Sequence, residues 1–122
     1  MIAEIINPVD VSTLREQMRC ARPFQFCCID DFLRDDFACE VERAFPAIDV
    51  ARHDGVAFDK VNERNKVQVS NSAVFPRSLA RLSAALSSPE WLAQVSEITD
   101  IPGLVADPQL EGGGMHQMGV GG

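Results

Sequence analysis

The stretch Glu111-Gly112-Gly113-Gly114-Met115-His116-Gln117-Met118-Gly119-Val120-Gly121-Gly122 decides how this chain is read. Three successive glycines either let backbone come close to a ligand or only permit a bend and close strand packing, and the bend is the simpler reading. A phosphate cradle is disfavoured, because neither a helical pattern nor a lysine follows. From Met115 to Met118 the residues read as a strand, in which His116 and Met118 share one face. That face either lines a pocket or buries a hydrogen-bonded histidine beside a packing methionine; on the bare residues the buried reading is preferred. The strand and turn close the sequence with no covering element after them, so the chain is expected to be truncated.

Working back from this stretch, Pro102-Gly103 and Asp107-Pro108 carry turn chemistry. Before them, Ser87 is expected to cap a helix, with Pro89 in its first turn and Ser87 and Glu90 forming a capping box. Trp91, Leu92, Val95 and Ile98 give that helix its apolar face, and Trp91 reads as core. A helix over about Pro76 to Leu86 places Leu79, Leu82 and Leu86 along one side. Val67 and Val69 alternate with Lys66, Gln68 and Ser70 as a half-buried strand. Asp49 to Arg64 is polar and aperiodic, and reads as a surface loop. Leu33, Phe37, Ala38, Val41, Ala44 and Phe45 follow helical spacing up to Pro46. Asp30-Asp31 and Asp35-Asp36 flank and cap that helix, where acidic groups suit its dipole. Phe24 and Phe26 alternate with polar or small residues up to Ile29, which predicts another strand. Asp10 caps a first helix reaching about Cys20, with Leu14 and Met18 on one face.

The order is helix, strand, helix, loop, strand, two helices and a glycine-rich strand: an α+β layout in one domain over residues 1–122. About 1–105 form a helix-rich support region and about 106–122 a final strand and turn. With 46% hydrophobic and 24% charged residues, the composition is that of a globular chain. A formal charge of −7, with no basic cluster beyond Arg77 and Arg81, argues against a nucleic-acid partner. No apolar run approaches the roughly 20 residues that span a bilayer, and the N-terminus lacks the pattern of a signal peptide. A cytoplasmic location is expected. Cys20, Cys27, Cys28 and Cys39 lack paired zinc spacing and are expected to be reduced, partly buried thiols.

No complete catalytic constellation is present, and neither catalytic residues nor metal ligands are assigned. A facial iron site needs two histidines and a carboxylate, with the first histidine two residues before the carboxylate. His53 is followed at that spacing by Gly55, and His116 by Met118. His53 lies in the polar stretch and is expected to be solvated.

The segment Pro23-Phe24-Gln25-Phe26-Cys27-Cys28-Ile29-Asp30-Asp31-Phe32-Leu33 resembles the opening of the prolyl-4-hydroxylase-like group of Fe(II)- and 2-oxoglutarate-dependent oxygenases. Trp91-Leu92 through Ile98-Thr99-Asp100-Ile101-Pro102-Gly103-Leu104 is similar to the helix and turn before the catalytic barrel of that group. Asp107-Pro108 and Gly112 to Met118 look like the barrel's entry strand, and Gly119-Val120-Gly121-Gly122 like the turn after it. The resemblance implies a helical support region followed by the first strands of a double-stranded β-helix, or jelly roll. It further implies a dioxygenase that couples oxidative decarboxylation of 2-oxoglutarate to hydroxylation of a C–H bond in a small-molecule or peptidyl substrate. Its iron motif H-x-D, the distant histidine and the base that binds 2-oxoglutarate are all expected beyond Gly122, so this chain alone is expected to bind neither cofactor and to be inactive. Met118 stands where many relatives have a tyrosine that contacts 2-oxoglutarate, and a thioether donates no hydrogen bond. His116, on the same face, is the polar residue expected at the cofactor pocket. The alternative is a non-enzymatic α+β interaction module that pairs, or self-associates, through its glycine-rich terminal strand.

Overall fold

The computed structural model describes residues 2–60 and 62–122. Among the described residues, five α-helices and a three-stranded antiparallel sheet make up a mixed α+β arrangement. In chain order these are α1 Val11–Cys20, α2 Asp35–Ala44, α3 Ile48–Asp54, β1 Val56–Lys60, β2 Glu63–Val69, α4 Arg77–Leu86, α5 Pro89–Thr99 and β3 Met115–Met118. Two compact units share them, Met1–Glu40 with Ala84–Ala106, and Val41–Ser83 with Asp107–Gly122. No helix among the described residues is long and apolar enough to cross a membrane.

The first unit is built by local helix signals. Asp10 caps α1 as its sequence predicts, taking the Thr13 amide at 3.1 Å and the Thr13 and Ser12 hydroxyls at 2.8 and 2.9 Å. The Thr13 amide above all, then these hydroxyls, hold the Asp10 carboxyl below its ordinary range. Helix α1 packs on α5, burying Leu14 and Ile98. Arg15 and Asp100 meet at 2.7 Å, where Asp100 ends α5 in the left-handed conformation (φ 60°). The cap of α5 is Ser88, whose Oγ accepts from the Trp91 amide at 3.2 Å; the expected Ser87 cap is displaced by one residue. Pro89 at the helix start leaves Ser88 extended and free to cap. Trp91 is buried, with the Phe32 ring 5.0 Å away.

Two expectations for this unit fail. Residues 24–29 form no strand. Phe24 is 69% exposed and Phe26 48%, and their rings pack edge to face at 5.9 Å rather than into a core. Alternation alone makes no strand without a neighbour to take the backbone hydrogen bonds. Instead Ile6 and Leu33 form a single bridge, with Asn7 N–H donating to the Phe32 carbonyl and Arg34 N–H to that of Ile5. The cysteines are free as expected but not mainly buried: Cys20, Cys28 and Cys39 are exposed and Cys27 is half-buried.

The second unit holds the sheet, in the order β1-β2-β3. Residues 49–64, expected as a loop, instead supply most of α3, all of β1 and the start of β2. Helix α3 is short, and its inward face carries only Ile48 and Ala51, too few positions to display a period. Gly55 then lets the chain turn into β1 against β2: a Cβ there would lie 2.5 Å from the Gln68 carbonyl oxygen and 2.9 Å from that of Ala51. The core comprises Ala51, Val67, Val69, Leu79 and Met115, with Val41, Ala44, Ile48 and Phe75 packed on it. Val67 and Val69 are each 1% exposed. Burial of this depth stabilises by about 1.5–3 kcal/mol per side chain.

Candidate functional site

The pairing of β2 with β3 sets Val69 opposite Met115, Gln68 opposite His116, Val67 opposite Gln117 and Lys66 opposite Met118. Because strand side chains alternate, Val67, Val69 and Met115 enter the core while Lys66, Gln68, His116 and Met118 stand on the other face. Strand β1 extends the pattern, with Val56 opposite Gln68 and Phe58 opposite Lys66. The outer face thus carries two cross-strand rows, Val56-Gln68-His116 and Phe58-Lys66-Met118.

This placement corrects the buried reading of His116 and Met118. His116 is exposed and Met118 is 65% exposed, because the core side of β3 belongs to Met115. The two do share a face, as the spacing predicts. They line an open cleft of about 420 Å³ together with Glu63, Arg64, Lys66 and Gln117.

The glycine run gives the face its order. Gly114 has φ +95°, and a Cβ there would overlap the Val69 carbonyl oxygen, so the site admits only glycine. That turn aims the Gly113 carbonyl at the outer face, where it accepts from Gln68 Nε2 at 3.0 Å and meets His116 Nε2 at 2.9 Å. A carbonyl only accepts, so His116 carries its proton on Nε2 in this contact, leaving Nδ1 as the second polar position of the ring. In the adjoining row, Lys66 Nζ lies 3.1 Å from Glu63 Oε1 and 5.5 Å from the centre of the Phe58 ring. Met118 adds an apolar, polarisable surface without a donor. Gln117 Oε1 is buried without a partner among the described residues.

Arg64, Lys66, Gln68 and Phe58 were not singled out by the sequence. The signal was present: charged and amide residues alternate against Val67 and Val69, which marks them as one face of β2. His53 lies in the last turn of α3 and is not among the residues that line the cleft. A smaller cleft of about 180 Å³ lies in the first unit beside Asp10, Thr13, Cys28, Asp30 and Asp31, but the oxygens of Asp10 are engaged in capping α1. Among the described residues, no three histidine, cysteine, aspartate or glutamate side chains come together as a metal ion requires, so these residues do not fit an iron centre. The outer face can orient a polar ligand through hydrogen bonds and charge, and nothing on it is arranged as a nucleophile with its base. Compared with known proteins, the chain matches no family model, no curated protein and no solved structure.

Proposed function

We propose that the chain is the N-terminal part of an Fe(II)- and 2-oxoglutarate-dependent dioxygenase, a cytoplasmic hydroxylase whose jelly-roll barrel begins with this sheet. The observation that carries the reading is the two-sided sheet. Helical residues cover the face of Val67, Val69 and Met115, while the face of Lys66, Gln68, His116 and Met118 stays open, polar and cleft-lined. A barrel that houses chemistry in its interior needs strands of this kind, closed on the outside and polar within. The order of segments resembling the prolyl-4-hydroxylase-like group adds to it. On this reading His116 and Met118 face the cofactor pocket, with the iron ligands and the oxoacid-binding base C-terminal to Gly122. The test is the coding sequence downstream of Gly122. An in-frame H-x-D within a few codons and a later histidine are expected, and the extended protein should release succinate from 2-oxoglutarate only with Fe(II) present. A downstream reading frame without that motif overturns the proposal.

A second reading has one observation in its favour. Strand β3 is paired on one side alone among the described strands, so its other edge offers backbone groups to a further strand. A non-enzymatic module would use that edge to bind a partner or a second copy. Size-exclusion chromatography of the chain across concentration tests it: a monomer at all concentrations removes the self-pairing form.

A further inference from the structure

We infer that the outer face of the sheet binds an anionic group, a carboxylate or a phosphate, between Arg64 and Lys66. These residues sit two apart on β2 and both line the cleft that holds His116 and Met118. The charged side chains of this cleft are two cations and one anion, Glu63, and Gly122, whose α-carboxylate is a second anion in the 122-residue chain, also lines it. Two cations side by side on one strand face give an anion a place to bind within an otherwise acidic chain. The Glu63 carboxylate is committed, since its Oε1 lies 3.1 Å from Lys66 Nζ. An incoming carboxylate or phosphate therefore meets Arg64 directly and competes with Glu63 for Lys66. The Phe58 ring beneath the ammonium group holds Lys66 over the row, so Lys66 is ordered before ligand arrives. Guanidinium geometry favours two-point contact with either oxyanion.

Neither residue is the base that the oxygenase resemblance assigns to 2-oxoglutarate, which falls beyond Gly122. Naming the anion as part of the substrate, and so the substrate as acidic, rests on the oxygenase reading; the anion site itself does not.

The experiment is a titration of the isotope-labelled 122-residue chain, followed by amide chemical shifts, with inorganic phosphate, succinate and uncharged succinamide. Saturable shifts at residues 63–66 and 116–118 are expected for phosphate or succinate, with dissociation constants on the order of millimolar. The stronger of the two identifies the oxyanion, and rising salt should weaken both. Arg64→Gln and Lys66→Gln should each weaken binding about two- to fivefold, the range of exposed ion pairs. Glu63→Gln should tighten binding by a similar factor, a gain that misfolding does not produce. Succinamide binding as well as succinate, or an unchanged affinity in all three variants, overturns the inference. If the downstream coding sequence lacks the iron motif while phosphate or succinate still binds here, only the assignment to a substrate falls.

Discussion

The two faces of the sheet are made from the same strands and behave as different materials. On one, Val67, Val69 and Met115 pack with Ala51 and Leu79, and their value lies in volume and fit. On the other, Gln68 and His116 hold their places through Gly113, Lys66 through Glu63 and Phe58, and Met118 stands exposed. Stability is concentrated on the first face and chemistry on the second. Residues on the second face are therefore free to change the ligand at little cost to the fold.

Substitutions across β3 probe that division. Met115→Ala removes a buried side chain at the core and should cost about 3 kcal/mol, read as a shift in the denaturant midpoint. Gly114→Ala forces a left-handed backbone on an L-residue and drives its Cβ into the Val69 carbonyl, so a loss of about 2 kcal/mol is expected in the same measurement. Gln117→Leu should stabilise by about 1 kcal/mol, because it removes a buried oxygen that lacks a partner among the described residues. His116→Ala and Met118→Ala should each lie within about 0.5 kcal/mol of the parent. A loss at Met118 equal to that at Met115 would erase the distinction between the faces, whereas a near-neutral result with altered ligand shifts would sharpen it.

Local chemistry was legible in the sequence, and pairing was not. Asp10, two hydroxyls and a helical pattern specify α1 within a single turn, and the sequence places it correctly. Ser87 and Ser88 both have capping chemistry, and Pro89 decides for Ser88 through its effect on the preceding residue, which the serine pair alone does not reveal. The phenylalanines at 24 and 26 carry a stronger strand pattern than Val56 and Phe58, yet only the second pair lies in a strand. What separates them is the partner: β1 has β2 alongside it, and residues 24–29 have no ladder. Such non-local pairing is invisible to a window of a few residues. For the candidate site, the shared face of His116 and Met118 followed from their spacing. Its exposure did not, since which side of β3 meets the core is set by Met115 and by contacts with distant α3 and α4. Arg64 and Lys66 were hidden for the same reason, lying across the sheet from a histidine some fifty residues away, on the order of a whole supersecondary unit in sequence.

The glycine turn before β3 has a consequence of parity. Strand side chains repeat every two residues, so the number of residues between the turn and the first rung of β3 fixes which set points inward. Deleting one residue from Gly112–Gly114 while β2 keeps its place would drive His116 toward Val67 and Val69 and turn Met115 outward. Removing two would restore the original sides. Length variation at this turn thus keeps the two faces in even steps and exchanges them in odd ones, so the glycine run acts as a counter for the strand that follows as well as a bend.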